Sequence, residues 1–392
     1  MIRDLLSLLV LAAITPYASA DWQLRSWSRW EVTAEGAEAM VGVERIELQR
    51  LSVPDNADWL GGEIRRSVRL TSGNAECVLI GVEPQASLPS LLRVRAGFRC
   101  PEVVESPSIR VSLFGGLAPR PLHYASIRYQ EQVSDALLAH GNDMLTLREA
   151  GGTPDALSVI RQYTWLGLVH ILEGLDHIAF LLCLLFAAPG LARRAWMVTG
   201  FTLGHSATLS LSALELLRVQ TAGVEALIGF TVALLAAETW QRSNGGHTAA
   251  WLLCGVSGAL LGATFVGADV ALPATAAFAL LLLAPAYLRL AAQTTSAHTL
   301  HLGMMAIFGL VHGLGFASAL RSIGLPEGQR GWALAGFNIG VEIGQLLLLL
   351  LFAGIIALLG RTAGTRHAGT GATVLSGLLC ATGIFWLVER AV

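Results

Sequence analysis

Tyr163-Thr-Trp-Leu-Gly-Leu-Val-His170-Ile-Leu-Glu173-Gly-Leu-Asp176-His177-Ile-Ala-Phe-Leu-Leu-Cys183-Leu-Leu-Phe-Ala187 is an apolar run with four ionisable side chains set into it. The run is long enough to cross a bilayer, since a spanning helix needs roughly 20 mainly apolar residues. Ionisable groups at membrane depth cost roughly 2.5–3.5 kcal/mol each on insertion scales. Four in two turns therefore imply a protein interior, water or a bound ion as their surroundings. At about 100° per residue, His170, Glu173 and His177 fall on one face of a helix, with Asp176 beside it, placed to orient a histidine.

The rest of the chain fits that reading. Of 392 residues, 54% are hydrophobic and 14% charged, and 42 are glycine. That profile implies a membrane protein with a soluble part. Residues 1–162 carry 16 Arg and 19 acids, whereas residues 163–392 carry 10 Arg and 9 acids. All 26 basic side chains are Arg, which we read as compositional bias, and the net charge of −2 argues against a nucleic-acid partner.

Residues 1–20 have the form of a secretory signal peptide, with Arg3, the apolar Leu5–Ala13 and a small-residue Ala18-Ser19-Ala20 site. Residues 21–150 are then expected to be an exported, periplasmic, all-β, sandwich-like domain. Leu91–Phe98 and Ser108–Phe114 alternate with period two, and Glu63–Leu70, Ala75–Val82 and His123–Gln130 are further strand candidates. Cys77 and Cys100 are the two cysteines of this segment, and a disulfide between them is expected outside the cytosol. Cys183, Cys254 and Cys380 lie singly in apolar helices as packing residues. His123 and His140 read as surface residues, and no catalytic motif is visible. Residues 151–162 are a linker.

Residues 163–392 hold about eight apolar segments (six to eight transmembrane helices), near 163–187, 195–217, 223–241, 249–267, 272–291, 301–320, 331–359 and 372–389. Six tryptophans fall near their predicted ends, as an aromatic belt would. With the N-terminal domain outside, the loops expected inside carry six Arg (193, 194, 242, 289, 361, 366) and the outer ones four (218, 321, 330, 390), a bias of the expected sign.

The polar anomaly recurs. The second segment contains His205, Ser206 and Thr208, and the sixth contains His312. In the seventh, Asn338, Glu342 and Gln345 share one helix face. Glu225 and Glu238 open and close the third segment and read as interfacial. Ser206, Asn338 and Gln345 each also have a plain role, bonding backbone carbonyls or neighbouring helices. Imidazole with carboxylate, and no thiol or thioether, suits a borderline divalent cation such as Ni²⁺, Co²⁺ or Zn²⁺.

These residues resemble the HupE/UreJ family of membrane proteins. The matches are His170-Ile-Leu-Glu-Gly-Leu-Asp176-His177, Phe201-Thr-Leu-Gly-His205-Ser206, Val224-Glu225, His312-Gly-Leu-Gly-Phe-Ala and Phe337-Asn-Ile-Gly-Val-Glu342-Ile-Gly-Gln345. The His-x5-Asp-His element is also similar to the signature of nickel/cobalt permeases. The resemblance implies a multi-pass protein of the bacterial inner membrane that handles nickel or cobalt, as a permease or an accessory of hydrogenase and urease maturation. Two departures stand out: residues 248–298 are an extra hairpin, and Glu173 replaces a small or apolar residue.

The expectation is thus a divalent-metal permease. His170, Asp176, His177, His205 and His312 would form the metal site, and Glu173, Ser206, Glu225, Asn338, Glu342 and Gln345 would support it. The bilayer and the metal ion are the expected partners. The alternatives are an intramembrane zinc hydrolase, and a sensor or assembly factor that does not transport.

Overall fold

The computed structural model describes residues 25–73, 75–85, 91–104, 107–115, 117, 122–129, 132–138, 143–146, 156–214, 216–217, 219–293, 297–323, 325–326 and 328–392. The expected signal peptide, the start of the linker and His140 lie outside them. The chain divides into two compact units, one built on Trp22–Arg161, the other on Gln162–Ser318 and Leu334–Val392.

The first unit is β-rich, as its alternation predicts. Strands β1 (Arg25–Thr33), β2 (Gly36–Glu44), β5 (Val78–Pro84), β6 (Leu91–Arg99), β8 (Leu122–Tyr129) and β9 (Gln132–Leu138) form one sheet in the order β5-β6-β2-β1-β8-β9. Its β1–β8 pairing is parallel. Strands β3 (Val68–Ser72), β4 (Ala75–Glu76), β7 (Pro107–Val111) and β10 (Met144–Thr146) form the second, ordered β10-β7-β3-β4. Alternate residues of β6 (Leu92, Val94, Ala96 and Phe98) face a core shared with Trp30, Val41, Leu70 and Ile109.

Two helices interrupt the strands, α1 (Arg45–Arg50) and α2 (Ala57–Ser67). The second takes residues 63–67 from the strand expected over Glu63–Leu70. Local chemistry explains it: Asn56 caps the Trp59 amide at 2.9 Å, Leu60 and Ile64 bury one helical stripe, and Glu63 binds Arg66 and Ser67. Cys77 and Cys100 form the expected disulfide, closing a 23-residue separation. Chain-entropy arguments give such a loop about 3 kcal/mol of stabilisation.

His123 corrects a sequence expectation: it is buried, not on the surface. Its Nδ1 lies 2.8 Å from Ser26 Oγ and its Nε2 lies 2.7 Å from Ser28 Oγ, so it stitches β8 to β1. Burial pushes the imidazole down to about 3. Its ordinary value is about 6.5, so between those two pH values the unfolded chain holds a proton that the folded unit refuses. Stability from this residue is complete above about pH 6.5 and drains away as the pH falls toward 3, by about 2 kcal/mol at pH 5. Denaturation of the whole protein at pH 7 and pH 5 should show that loss in the β unit, and His123→Gln should remove most of it. An equal slope in both proteins would refute the assignment.

The second unit is helical: α3 (Ala156–Glu173), α4 (Leu175–Ala187), α5 (Leu191–Ala213), α6 (Thr221–Asn244), α7 (Thr248–Phe265), α8 (Ala274–Gln293), α9 (Ala297–Ile323) and α10 (Arg330–Ala391). Among the described residues six spans are long and apolar enough to cross a membrane, or seven with α3 and α4 counted as one. Two of them, Arg330–Leu358 and Gly371–Ala391, belong to α10, joined by helical backbone where two segments were expected. The 23-residue α5 is long enough to cross but less apolar, because it carries Arg193, Arg194 and a row of Ser, Thr and His. The hairpin expected over residues 248–298 is α7–α8.

The opening stretch is not one straight helix. It bends by 71° between Leu172 and Leu175. Gly174 makes the bend, and a Cβ there would overlap His177 Nδ1. The shared face read from i, i+3, i+7 spacing is therefore interrupted.

Candidate metal centre

The bend brings together what the spacing could not. His170, near the end of α3, and His177, in the first turn of α4, approach edge to face with ring centroids 4.7 Å apart. His205 of α5 lies 6.4 Å from His170, and His312 of α9 lies 5.6 Å from His177. Four imidazoles from four helices thus share one buried pocket, each at most 7% exposed. Phe180, Phe201, Phe316 and Phe337 wall it.

Glycines make this convergence steric. A Cβ at Gly309 of α9 would overlap the Phe201 carbonyl of α5, and one at Gly204 would overlap the Ala306 carbonyl. The same reciprocal contact joins Gly167 of α3 to Phe337 of α10, and Gly340 to Thr164. Small residues let helix backbones touch in the absence of a hydrophobic drive between them.

Asp176 is buried beside His177, whose amide donates to Oδ1 at 3.0 Å, while Oδ1 lies 3.2 Å from His177 Nδ1. The carboxylate thus lies against the imidazole ring, whose Nδ1 makes no hydrogen bond of its own. Oδ2 faces Arg390 Nη1 at 3.6 Å. His312 Nδ1 lies 2.9 Å from the Phe308 carbonyl. A carbonyl only accepts, so Nδ1 carries the proton and Nε2 presents its lone pair. His312 Nε2, His177 Nε2 and both nitrogens of His205 are buried without a hydrogen-bond partner. Buried nitrogens left bare in this way are expensive, unless a cation takes them up. No three acidic, thiol or imidazole side chains among the described residues are arranged to hold an ion as they stand.

The supporting residues separate from this pocket. Gln345 Oε1 accepts from Thr202 at 2.9 Å, and Glu342 Oε1 accepts from Thr199 at 2.7 Å. Thr202 and Thr199 precede His205 by one and two turns, so the polar groups step away from the pocket along α5 by about 4.5 and 9 Å. Asn338 donates to the Leu334 carbonyl at 2.8 Å and leaves its own oxygen bare. Ser206 is half-buried beside His205. Glu225 is half-buried near the start of α6, and its carbonyl accepts from Arg390 at 3.2 Å. Glu173 ends α3, and its side chain lies outside the described residues.

Glu238, read from sequence as lying near the end of its segment, is 2% exposed and packed inside the protein. It takes His301 Nε2 at 2.7 Å, the Tyr287 hydroxyl at 2.6 Å and the Arg242 guanidinium, which also bonds the Ala187 carbonyl at 2.7 Å. This hub joins α4, α6, α8 and α9. Glu238 and Arg242, at i and i+4, were the visible signal.

A family model described as HupE / UreJ protein matches residues 149–284 and 255–390, together more than half of the chain. No curated protein matches it.

Proposed function

The chain belongs to the HupE / UreJ protein family, and from that premise we propose that it is a permease for a divalent transition metal, nickel or cobalt, in the bacterial inner membrane. The observation that carries the reading is the cluster of bare, buried imidazole nitrogens on His177, His205 and His312. Neutral imidazole suits Ni²⁺, Co²⁺ and Zn²⁺, and the pocket offers no sulfur to favour Cu⁺. His177, His205 and His312, with His170 beside them, would take the ion, and Asp176 would hold His177 in place and offset charge. Protonation of imidazole releases metal, which suits cargo.

Among the described residues the donors are spread over four helices and not grouped as a trio, an arrangement that suits passage better than catalysis. A catalytic zinc centre keeps three close protein ligands and one open position. The side chains here instead continue from His205 through Thr202 and Gln345 to Thr199 and Glu342, a lane along the helices. The Cys77–Cys100 bridge supports an exported first unit, since disulfides persist in oxidising compartments.

Cells expressing the protein should accumulate labelled nickel or cobalt above control cells, and His177→Ala should return them to background. Equal uptake in control, wild-type and variant cells would sink the proposal for these metals.

A further inference from the structure

The helices around the pocket are related in pairs. Gly167-Leu-Val-His170 of α3 recurs as Gly309-Leu-Val-His312 of α9. Arg194-x-Trp196-x-x-x-Gly200-Phe201-x-x-Gly204 of α5 recurs as Arg330-x-Trp332-x-x-x-Gly336-Phe337-x-x-Gly340 of α10. Gly223, Leu227, Gly229, Ala233 and Arg242 of α6 keep their spacing as Gly371, Leu375, Gly377, Ala381 and Arg390 at the far end of α10. All three spans of the first half (the broken α3–α4, α5 and α6) therefore have a counterpart, in the same order, in the second.

The packing repeats atom for atom. A Cβ at Gly167 would overlap the Phe337 carbonyl oxygen and stand 3.0 Å from the Val341 amide; its counterpart at Gly309 would overlap the Phe201 carbonyl oxygen and stand 2.9 Å from the His205 amide. Gly340 faces Thr164 O and, at 2.8 Å, Leu168 N; Gly204 faces Ala306 O and, at 3.0 Å, Leu310 N. In each case the first helix of one half packs on the second helix of the other. The ring contacts follow: His170 lies 5.6 Å from Phe337, and His312 lies 4.9 Å from Phe201. Short sequence identities alone are weak, but identities that also exchange their contacts are the signature of a twofold.

The two halves run in opposite senses. With α5 counted as a crossing beside the seven spans above, three spans precede the α7–α8 hairpin and three follow it. If each span crosses once, α3 and α9 are the first and sixth crossings and point in opposite directions. A two-helix insertion returns the chain to the side it left, which is why the hairpin fits between the halves without disturbing them. Inverted repeats of this kind place cargo at their interface, near a broken helix, and serve it from either side. The break at Gly174 meets that description.

The counterpart arginines close the two ends. Arg242 grips Glu238 and the end of α4, near the C-terminal end of α6. Arg390 grips Asp176 and the Glu225 carbonyl, near the N-terminal end of α6. We infer that residues 156–244 and 297–391 are two copies of one three-helix unit inserted in opposite senses, with the imidazole pocket on the pseudo-twofold between them and closures at Arg242 and Arg390 that open in turn. This deepens the permease reading, yet its test involves no metal, so the two can fail separately.

In sealed vesicles of the full chain with Cys183, Cys254 and Cys380 changed to Ser, an impermeant maleimide should label Trp196→Cys and Trp332→Cys from opposite sides. Both tryptophans are exposed, at 64% and 52%. Labelling of both from one side overturns the inversion. The native cysteines test the closures. Cys183 of α4 is buried, with its thiol against the Val232 carbonyl of α6. Glu238→Gln should raise its labelling from the Trp196 side at least tenfold, and Arg390→Gln should not. Tyr287→Phe, a milder loosening of the same hub, should raise it severalfold. Cys380, also buried, should stay unlabelled throughout and so report an intact fold. No rise in Glu238→Gln or Tyr287→Phe, or an equal rise in Arg390→Gln, overturns the alternating closures.

Discussion

Glu238→Ala should destabilise the helical unit by about 2–4 kcal/mol, since it strands two buried donors at about 1–3 kcal/mol each. Three donors converge on this carboxylate: His301 Nε2, the Tyr287 hydroxyl and the Arg242 guanidinium. His301 and Tyr287 are themselves buried. Without Glu238 they keep their desolvation cost and lose its compensation, whereas the Arg242 guanidinium, 38% exposed and still bonded to the Ala187 carbonyl, adds little. Tyr287→Phe removes one donor and leaves the carboxylate paired, so about 1 kcal/mol is expected. Unfolding of the purified protein in mild detergent, followed by tryptophan fluorescence, would separate the two. A Glu238→Ala protein within 1 kcal/mol of wild type would show that the hub holds nothing together.

On the proposed metal reading, Gly309→Ala should weaken binding of a divalent ion by about 10–100-fold, the range for lost support around a metal site. The substitution removes no ligand. Its methyl would overlap the Phe201 carbonyl, which is backbone and cannot rotate aside, so α5 and α9 must part. His205 and His312 sit on those two helices, within one turn of the contact, and would be carried apart. The strain should also cost about 1–3 kcal/mol of stability. Gly303→Ala, on the same helix with nothing within 4 Å of the added carbon, is the control and should bind as wild type does. Cobalt titration by its visible absorption would test both. Equal affinities would show that the pocket does not depend on this approach.

The membrane part was legible because lipid imposes a strong rule: a polar side chain in a long apolar run has to be accounted for. That rule found His170, His177, His205 and His312 before any coordinates. It could not find the bend at Gly174, since periodicity assumes a straight helix and the glycine was one among many. It also left the Glu238 hub unseen, because distance from a segment's end says where a residue starts, not what folds over it. Tyr287 and His301, which bury Glu238, lie far away in sequence, one of them on the extra hairpin. In the β unit the alternation gave the strands, but α2 was missed because residues 63–67 hold one apolar residue, Ile64, which fixes neither period. His123 was misplaced since a polar residue at an inward strand position is invisible until its partners, Ser26 and Ser28, are known. The repeated Gly-Leu-Val-His was in plain sight. Membrane helices draw on so small an alphabet that four matching residues mean little until their contacts match too.

The bend at Gly174 also bears on how the chain is made. Asp176 and His177 enter the bilayer before any residue of α6, α9 or α10 has been synthesised, so Arg390 and His312 cannot yet shield them. A continuous helix would carry that carboxylate at mid-span with every nearby amide already committed to a bond. Restarting the helix at Leu175 puts Asp176 in a first turn, where amides are free and the helix dipole is positive, and the His177 amide does donate to it. The half-helix thus supplies an interim partner for the charge during the interval between insertion of the first span and arrival of the last.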